Sequence, residues 1–197
     1  MITAALPSKR QRTREHIATV AGDLFERHGY EAVTMEQIAV EAGVVRGTLY
    51  NHFAVKEAVL AEWMHARLAR DLAPLMQAVM KRKTFASRIP VVLDASARWW
   101  EEHRQYAAPY IRFRFQQVSD GSGEQASSDM VTAYTALIHA AQQAGEVRDN
   151  EPPERLANYL HFLYLSALMS WLGDPKVSLR KAFARAFDFF LQGASRP

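Results

Sequence analysis

Apolar residues fall at helical intervals along almost the whole chain. Ile17, Val20, Ala21, Leu24 and Phe25 recur at steps of three and four, tracing one stripe on a helix that runs from about Arg14. Gly29 stops it, because glycine takes the left-handed C′ conformation without strain, and His28 suits the negative end of the helix. Thr34 opens a second helix. Gln37 stands three residues on and completes a capping box, with Val33 and Ile38 at the hydrophobic-staple positions. The stripe Ile38, Ala39, Ala42 is short, and Gly43 ends it. A third short helix over about Arg46–His52 turns Leu49 and Phe53 inward, and a fourth starts near Lys56 with Val59, Leu60 and Trp63.

A helix, a glycine-containing turn and a second short helix predict a helix-turn-helix. Ala39 and Ala42 let the two helices cross closely, and Gly43 supplies the positive φ of the turn. Beyond Trp63 the helices lengthen. One runs through Leu68 and Leu72, with Pro74 kinking it or starting another. Others are predicted over about residues 87–103, 106–118, 129–144, 153–172 and 178–192. Tyr110–Phe115 alternates like a strand, but Ile111, Phe115 and Val118 also fit a helix and no partner strand exists, so a helix is predicted. Residues 119–128, SDGSGEQASS, read as a surface loop. The expectation is an all-α chain of about nine helices with a boundary near residues 56–66.

Composition narrows the function. With 197 residues, 49% hydrophobic and 23% charged, the chain can bury a core. It has no cysteine, which excludes disulfides, thiolate metal sites and cysteine nucleophiles. The longest nearly apolar run, Phe162–Leu172, falls short of the roughly 18–20 residues that span a bilayer. The N-terminus lacks an apolar signal core. A soluble, cytoplasmic protein with no membrane partner is expected. The formal net charge is only +3, but residues 1–14 carry +4 and residues 15–64 carry −5. A DNA-binding domain is usually basic. One window departs from the acidic balance: from Ala42 to Lys56 there are two cations and no acid.

The stretch Ile38-Ala39-x-x-Ala42-Gly43-Val44-x-x-Gly47-Thr48-Leu49-Tyr50-x-His52-Phe53-x-x-Lys56-Glu57 resembles the tetracycline-repressor (TetR) family of bacterial one-component regulators. The likeness starts upstream at Ile17, Leu24-Phe25, Gly29-Tyr30 and Thr34 and covers about residues 12–63. It implies a homodimer, each subunit with an N-terminal three-helix DNA-binding domain and a larger helical ligand-binding and dimerisation domain. Residues 1–11 are then a basic arm, 12–60 the helix-turn-helix domain and 61–197 the ligand-binding and dimerisation domain. The implied partner is a double-stranded DNA operator, nucleoid association follows when DNA is bound, and the effector is unknown.

By the resemblance, Arg46, Gly47, Thr48, Tyr50, Asn51 and His52 lie on the recognition helix, Lys56 anchors the DNA backbone and Thr34 sits near a phosphate. These residue types suit the task. Gly47 allows close backbone approach, Arg46 can fork onto guanine or phosphate, and Asn51 can read a base edge or a phosphate. Thr48, Tyr50 and His52 can donate hydrogen bonds, and the Lys56 ammonium stands at a helix N-terminus. Each also has a plainer reading as a surface or helix-end residue. Val45 departs from the family, which has a small polar cap there; losing such a cap costs about 1 kcal/mol. The arm Lys9–Arg14 is a solvated tail or a tracker of phosphates and minor groove.

In the C-terminal region, aromatics are interleaved with Arg98, His103, Arg112, His139 and His161. Aromatics at helical spacing are more often core than ligand box. Apolar walls with a few polar groups nevertheless suit a small, largely apolar effector, with Trp99, His103, Tyr110, Phe113, His139 and Phe162 as candidate lining. The last two helices are apolar around much of their girth. Leu156, Tyr159, Leu160, Leu163, Ala167 and Trp171, with Phe183, Phe187 and Phe190, point to a dimer contact there. A two-fold dimer sets its recognition helices about 34–36 Å apart.

Two other readings compete with this one. Glu62-x-x-His65 matches the unit of di-iron carboxylate bundles, but no second copy exists, and there is no phosphate-binding glycine loop or nucleophile elbow. No catalytic residue, metal or cofactor is expected. The acidic balance of residues 15–64 and Val45 instead suit a helical small-molecule-binding protein with weak or lost DNA binding.

Overall fold

The computed structural model describes residues 8–119, 129–174 and 176–194. The predicted surface loop is outside them, apart from Ser119, which ends a helix, as are residues 1–7 of the arm. The described residues form nine α-helices, one 3-10 turn and no strand. The chain divides into two compact units, Met1–Ala66 and Arg67–Pro197.

The first unit holds α1 (Lys9–His28), α2 (Met35–Glu41), α3 (Arg46–His52) and the start of α4 (Lys56–Met80). α1 begins earlier than its apolar stripe suggests. Ser8 caps it by accepting from the Gln11 N–H at 3.1 Å, so Lys9–Arg14 are helical rather than a loose arm. Gly29 takes φ 83° and donates to the Phe25 carbonyl at 2.9 Å, closing α1. The α2 capping box is complete: Thr34 and Gln37 bond reciprocally through side chain and backbone, and the staple residues Val33 and Ile38 are buried. Gly43, at φ 64°, turns the chain toward α3. Ile17, Phe25, Ile38, Leu49, Phe53 and Leu60 meet in the core of this unit.

α4 continues through Pro74 without a break. In the second unit follow α5 (Phe85–Glu102), a 3-10 turn (Arg104–Tyr106), α6 (Ala107–Ser119), α7 (Asp129–Gln143), α8 (Pro153–Gly173) and α9 (Leu179–Ala194). The alternating Tyr110–Phe115 segment lies within α6. α8 packs against α7 and α9, and α9 packs against α5. No described helix is long and apolar enough to cross a membrane.

That packing reassigns most of the residues expected at the dimer contact. Leu156, Leu160, Ala167 and Trp171 of α8, and Phe183, Phe187 and Phe190 of α9, are buried within their own subunit. A helix held between two neighbours needs more than one apolar face, so a wide apolar girth does not by itself mark an interface. What stays outside is a narrower stripe: Tyr159 (54% exposed), Phe162 and Met169 on α8, with Phe189 (69%) on α9.

Candidate nucleic-acid interface and ligand core

Leu49 and Phe53 fix the orientation of α3. Both are buried, Leu49 on the helix and Phe53 at its C-cap. The opposite face then carries Arg46, Gly47, Tyr50 and Asn51 outward, with Thr48 and His52 half-buried at its flanks. Tyr50 is 39% exposed, so its ring is a surface feature and not core. Gly47 lies in open space: a Cβ added there meets no heavy atom within 4 Å, and its φ is not positive. Nothing in the fold of the protein itself requires glycine at this position.

Val45 is the N-cap of α3, makes no side-chain cap bond and is 73% exposed. Its methyl groups stand bare beside the outward face of α3. Arg46 pairs with Glu36 of α2 at 3.2 Å and lies over the Tyr50 ring at 5.3 Å from its centroid. Such an exposed pair is worth little in water and yields readily to a stronger anion. The acidic balance of this unit is partly taken up in the same way, with Glu41 on Arg27 and Glu62 on Arg14. Glu62, half of the di-iron-like motif, thus has an arginine partner.

Two residues expected at phosphates are engaged internally. Thr34 Oγ1 accepts from the Gln37 N–H at 3.2 Å, as the cap of α2. Lys56 Nζ donates to the carbonyls of Tyr30 and Val33, both at 2.9 Å, and lies 4.3 Å from the Tyr30 ring centroid. The ammonium that the sequence places on the DNA backbone braces the segment between α1 and α2 instead. The polar turn at residues 30–33 exposes carbonyls that a nearby cation satisfies, which spacing along the chain does not reveal.

The sequence reading passed over Arg10 as part of the arm. With α1 helical from Lys9, Arg10 lines one open concavity together with Asn51 and His52. Burial, then Arg10 and Arg14, hold the His52 imidazole below its ordinary value.

In the second unit the six candidate ligand residues do not converge. Trp99 is buried, donates Nε1–H to Asp71 at 3.1 Å and stacks on His103, whose Nδ1 lies 2.8 Å from the Trp99 carbonyl. Phe113 is half-buried on α6. His139 lies in a surface groove of about 540 Å³ with Thr135, Pro153 and Glu154. Phe162 is 46% exposed, and its ring faces Phe115 at 6.4 Å. Tyr110 alone belongs to the polar centre that the packing creates.

That centre joins four helices: Trp100 of α5, Tyr110 of α6, Tyr134 of α7, and His161 and Tyr164 of α8, all buried. Trp100 Nε1–H donates to the Tyr164 hydroxyl, the Trp100 and Tyr110 rings lie 5.3 Å apart, and His161 stacks on Tyr164. Burial pushes the Tyr110 hydroxyl up to about 12, and burial together with Tyr164 and Tyr110 raises Tyr134 well above its ordinary value. The phenols therefore stay neutral at physiological pH. The Tyr134 hydroxyl has no hydrogen-bond partner among the described residues. Only the i, i+3 spacing of His161 and Tyr164 hinted at this grouping in the sequence.

A short helix, anchored by two apolar residues after a glycine turn and presenting donors outward, is the DNA-reading element of a helix-turn-helix regulator. Residues 17–63 match the model of the bacterial regulatory proteins of the tetR family. The chain is 29% identical to a Mycobacterium tuberculosis protein provisionally named mycofactocin biosynthesis transcriptional regulator MftR, over 95% of this chain and 94% of that protein. It is also 29% identical to the HTH-type transcriptional repressor Rv1474c of the same organism, over 83% and 85%. Its fold is that of Thermus thermophilus FadR, a repressor solved in complex with lauroyl-CoA: TM-score 0.75, 20% identity, 91% of this chain and 94% of that one. Residues 17–63 are thus similar to the DNA-binding segment of tetR-family regulators, and the chain over most of its length to the transcriptional regulators named above.

Proposed function

We propose that this chain is a ligand-responsive repressor that binds a near-palindromic operator as a dimer and leaves it when a small, largely apolar effector enters the second unit. The carrying observation is the outer face of α3. Arg46, Gly47, Tyr50 and Asn51 face solvent together, and Gly47 has no role in the protein's own packing. Close approach of another surface accounts for that glycine. Arg46 reads a base or phosphate after leaving Glu36, and Val45 offers its methyl groups to a thymine methyl.

The effector reading is supported by the polar groups of Trp100, Tyr110, Tyr134 and Tyr164 gathered in the otherwise apolar core of the second unit. The similarity to FadR, which was solved with lauroyl-CoA, supports the same use of this unit. Family members act as dimers. Here the exposed stripe of Tyr159, Phe162 and Met169 on α8, with Phe189 on α9, is the surface offered for that contact.

Selection of genomic fragments on the purified protein, at low and moderate salt, tests the reading. Enrichment of one imperfect palindrome, with half-sites about one helical turn apart, is expected. Tyr50→Ala should lose that binding while the protein stays folded and dimeric. A folded dimer that enriches nothing at either salt overturns the repressor and leaves a helical small-molecule-binding protein.

A further inference from the structure

Arg10 stands in the first turn of α1, while Asn51 and His52 are the last residues of α3. The three line a solvent-open concavity of about 460 Å³ whose lining includes no carboxylate. Arg10 and Asn51 are exposed. The imidazole Nδ1 of His52 is shielded and has no hydrogen-bond partner among the described residues. The C-terminal end of a helix ordinarily repels anions. Here Arg14 removes that obstacle, because its Nη1 donates to the His52 carbonyl at 2.6 Å. Glu62 of α4 accepts from Nε and Nη2 of the same guanidinium, at 3.0 and 2.9 Å, and holds it in place.

The concavity is therefore lined by a fork, an amide and an imidazole, with the Arg14–Glu62 pair behind them. That donor set fits a tetrahedral monoanion. We propose that Arg10, Asn51 and His52 seat one backbone phosphate of duplex DNA, and that DNA binding there takes up a proton on His52. The inference rests on the DNA-binding reading above, and extends the interface from the recognition helix to the start of α1.

The sign of the proton linkage follows from the neighbours. Arg10 and Arg14 face His52 from α1, and Glu62 of α4 faces it only through Arg14. In the free protein, burial and the two arginines hold the imidazole below its ordinary value of 6.5, so it is neutral at physiological pH. A phosphodiester, itself not titrating in this range, offsets the arginines and raises the value in the complex. Binding then gains a proton, affinity rises as pH falls through the region of the bound-state value, and it levels off below the free-state value.

The test uses the full-length protein and a mixed-sequence duplex of about 30 base pairs, with affinity measured by fluorescence anisotropy over a salt series at about pH 6 and about pH 8. Arg10→Gln is expected to reduce the slope of log K against log salt by about 0.9 per subunit, the contribution of one phosphate, and so by about 1.8 for a dimer bound through both subunits. Wild type is expected to bind several-fold more tightly at the lower pH, up to about tenfold per subunit for a rise of about one unit in the complex. His52→Gln should abolish that difference. Circular dichroism verifies that both variants remain folded. An unchanged salt slope in Arg10→Gln, or a pH response that survives His52→Gln, overturns the seat while leaving the regulator standing. Wild type that binds no duplex overturns both. Inorganic phosphate alone, followed by the NMR titration of His52, separates the two sources of the anion. If it moves His52 as far as the duplex does, the concavity is a general anion site and its assignment to the DNA backbone is wrong.

Discussion

The indole of Trp63, on α4, lies directly over Gly22, on α1, leaving no room for a side chain between the two helices. A Cβ built on Gly22 overlaps Trp63 Nε1, Cδ1 and Cε2. Trp63 in turn meets Phe25 edge-on at 6.2 Å. Gly22→Ala should therefore destabilise the DNA-binding unit by about 1–3 kcal/mol, through overpacking, although alanine is the better helix former. Thermal unfolding measures the loss. Combining Gly22→Ala with Trp63→Leu should recover part of it, as expected for residues in contact.

Gly47 is the contrasting case. Its Cβ would enter open space, so Gly47→Ala should leave stability unchanged or raise it by up to about 1 kcal/mol. DNA affinity should nevertheless fall, because the added methyl stands where the duplex must approach. Melting temperature and anisotropy on the same preparation test this. A variant that binds DNA as wild type does would remove Gly47 from the interface.

Val45→Ser supplies the side-chain cap that α3 lacks and should stabilise the first unit by about 1 kcal/mol. If the exposed valine touches a thymine methyl, the same change weakens operator binding. Chemical denaturation and operator titration read these opposite effects separately.

Lys56→Met should act on folding first. It removes hydrogen bonds to the carbonyls of Tyr30 and Val33, of which that of Tyr30 keeps the Val33 N–H at 3.4 Å. A loss of about 1–3 kcal/mol is expected in chemical denaturation. Arg46→Ala should instead leave stability within about 0.5 kcal/mol and change sequence preference, since its partners Glu36 and Tyr50 are exposed.

Two of the buried tyrosines should separate effector response from stability. Tyr134→Phe deletes a hydroxyl that has no partner among the described residues, so effector-free stability should hold or rise. Tyr164→Phe leaves the Trp100 N–H without its acceptor and should cost about 1–3 kcal/mol. Release of DNA by effector should weaken in both. Melting curves with and without effector distinguish the cases.

The local architecture of the first unit was legible because each of its signals acts over a few residues. Thr34 and Gln37 close their own capping box, Gly29 and Gly43 take positive φ at the expected stops, and Leu49 with Phe53 sets which side of α3 faces out. The family resemblance rests on the same residues. What spacing along the chain cannot report is which groups meet from distant segments. Lys56 reaches carbonyls 23 and 26 positions away, Trp63 covers Gly22, and Arg10 joins Asn51 and His52 only because α1 starts at Lys9. In the second unit the difference is greater. A helix packed on two sides is apolar on both, so sequence could not separate the buried face of α8 from the exposed stripe of Tyr159, Phe162 and Met169. Nor could it gather Trp100, Tyr110, Tyr134 and Tyr164, since burial of a phenol is decided by neighbours on other helices. Local capping, turn and periodicity rules wrote the helices and the outward face of α3 into the sequence; long-range packing alone decided what each polar side chain is paired with, because those partners come from segments distant along the chain.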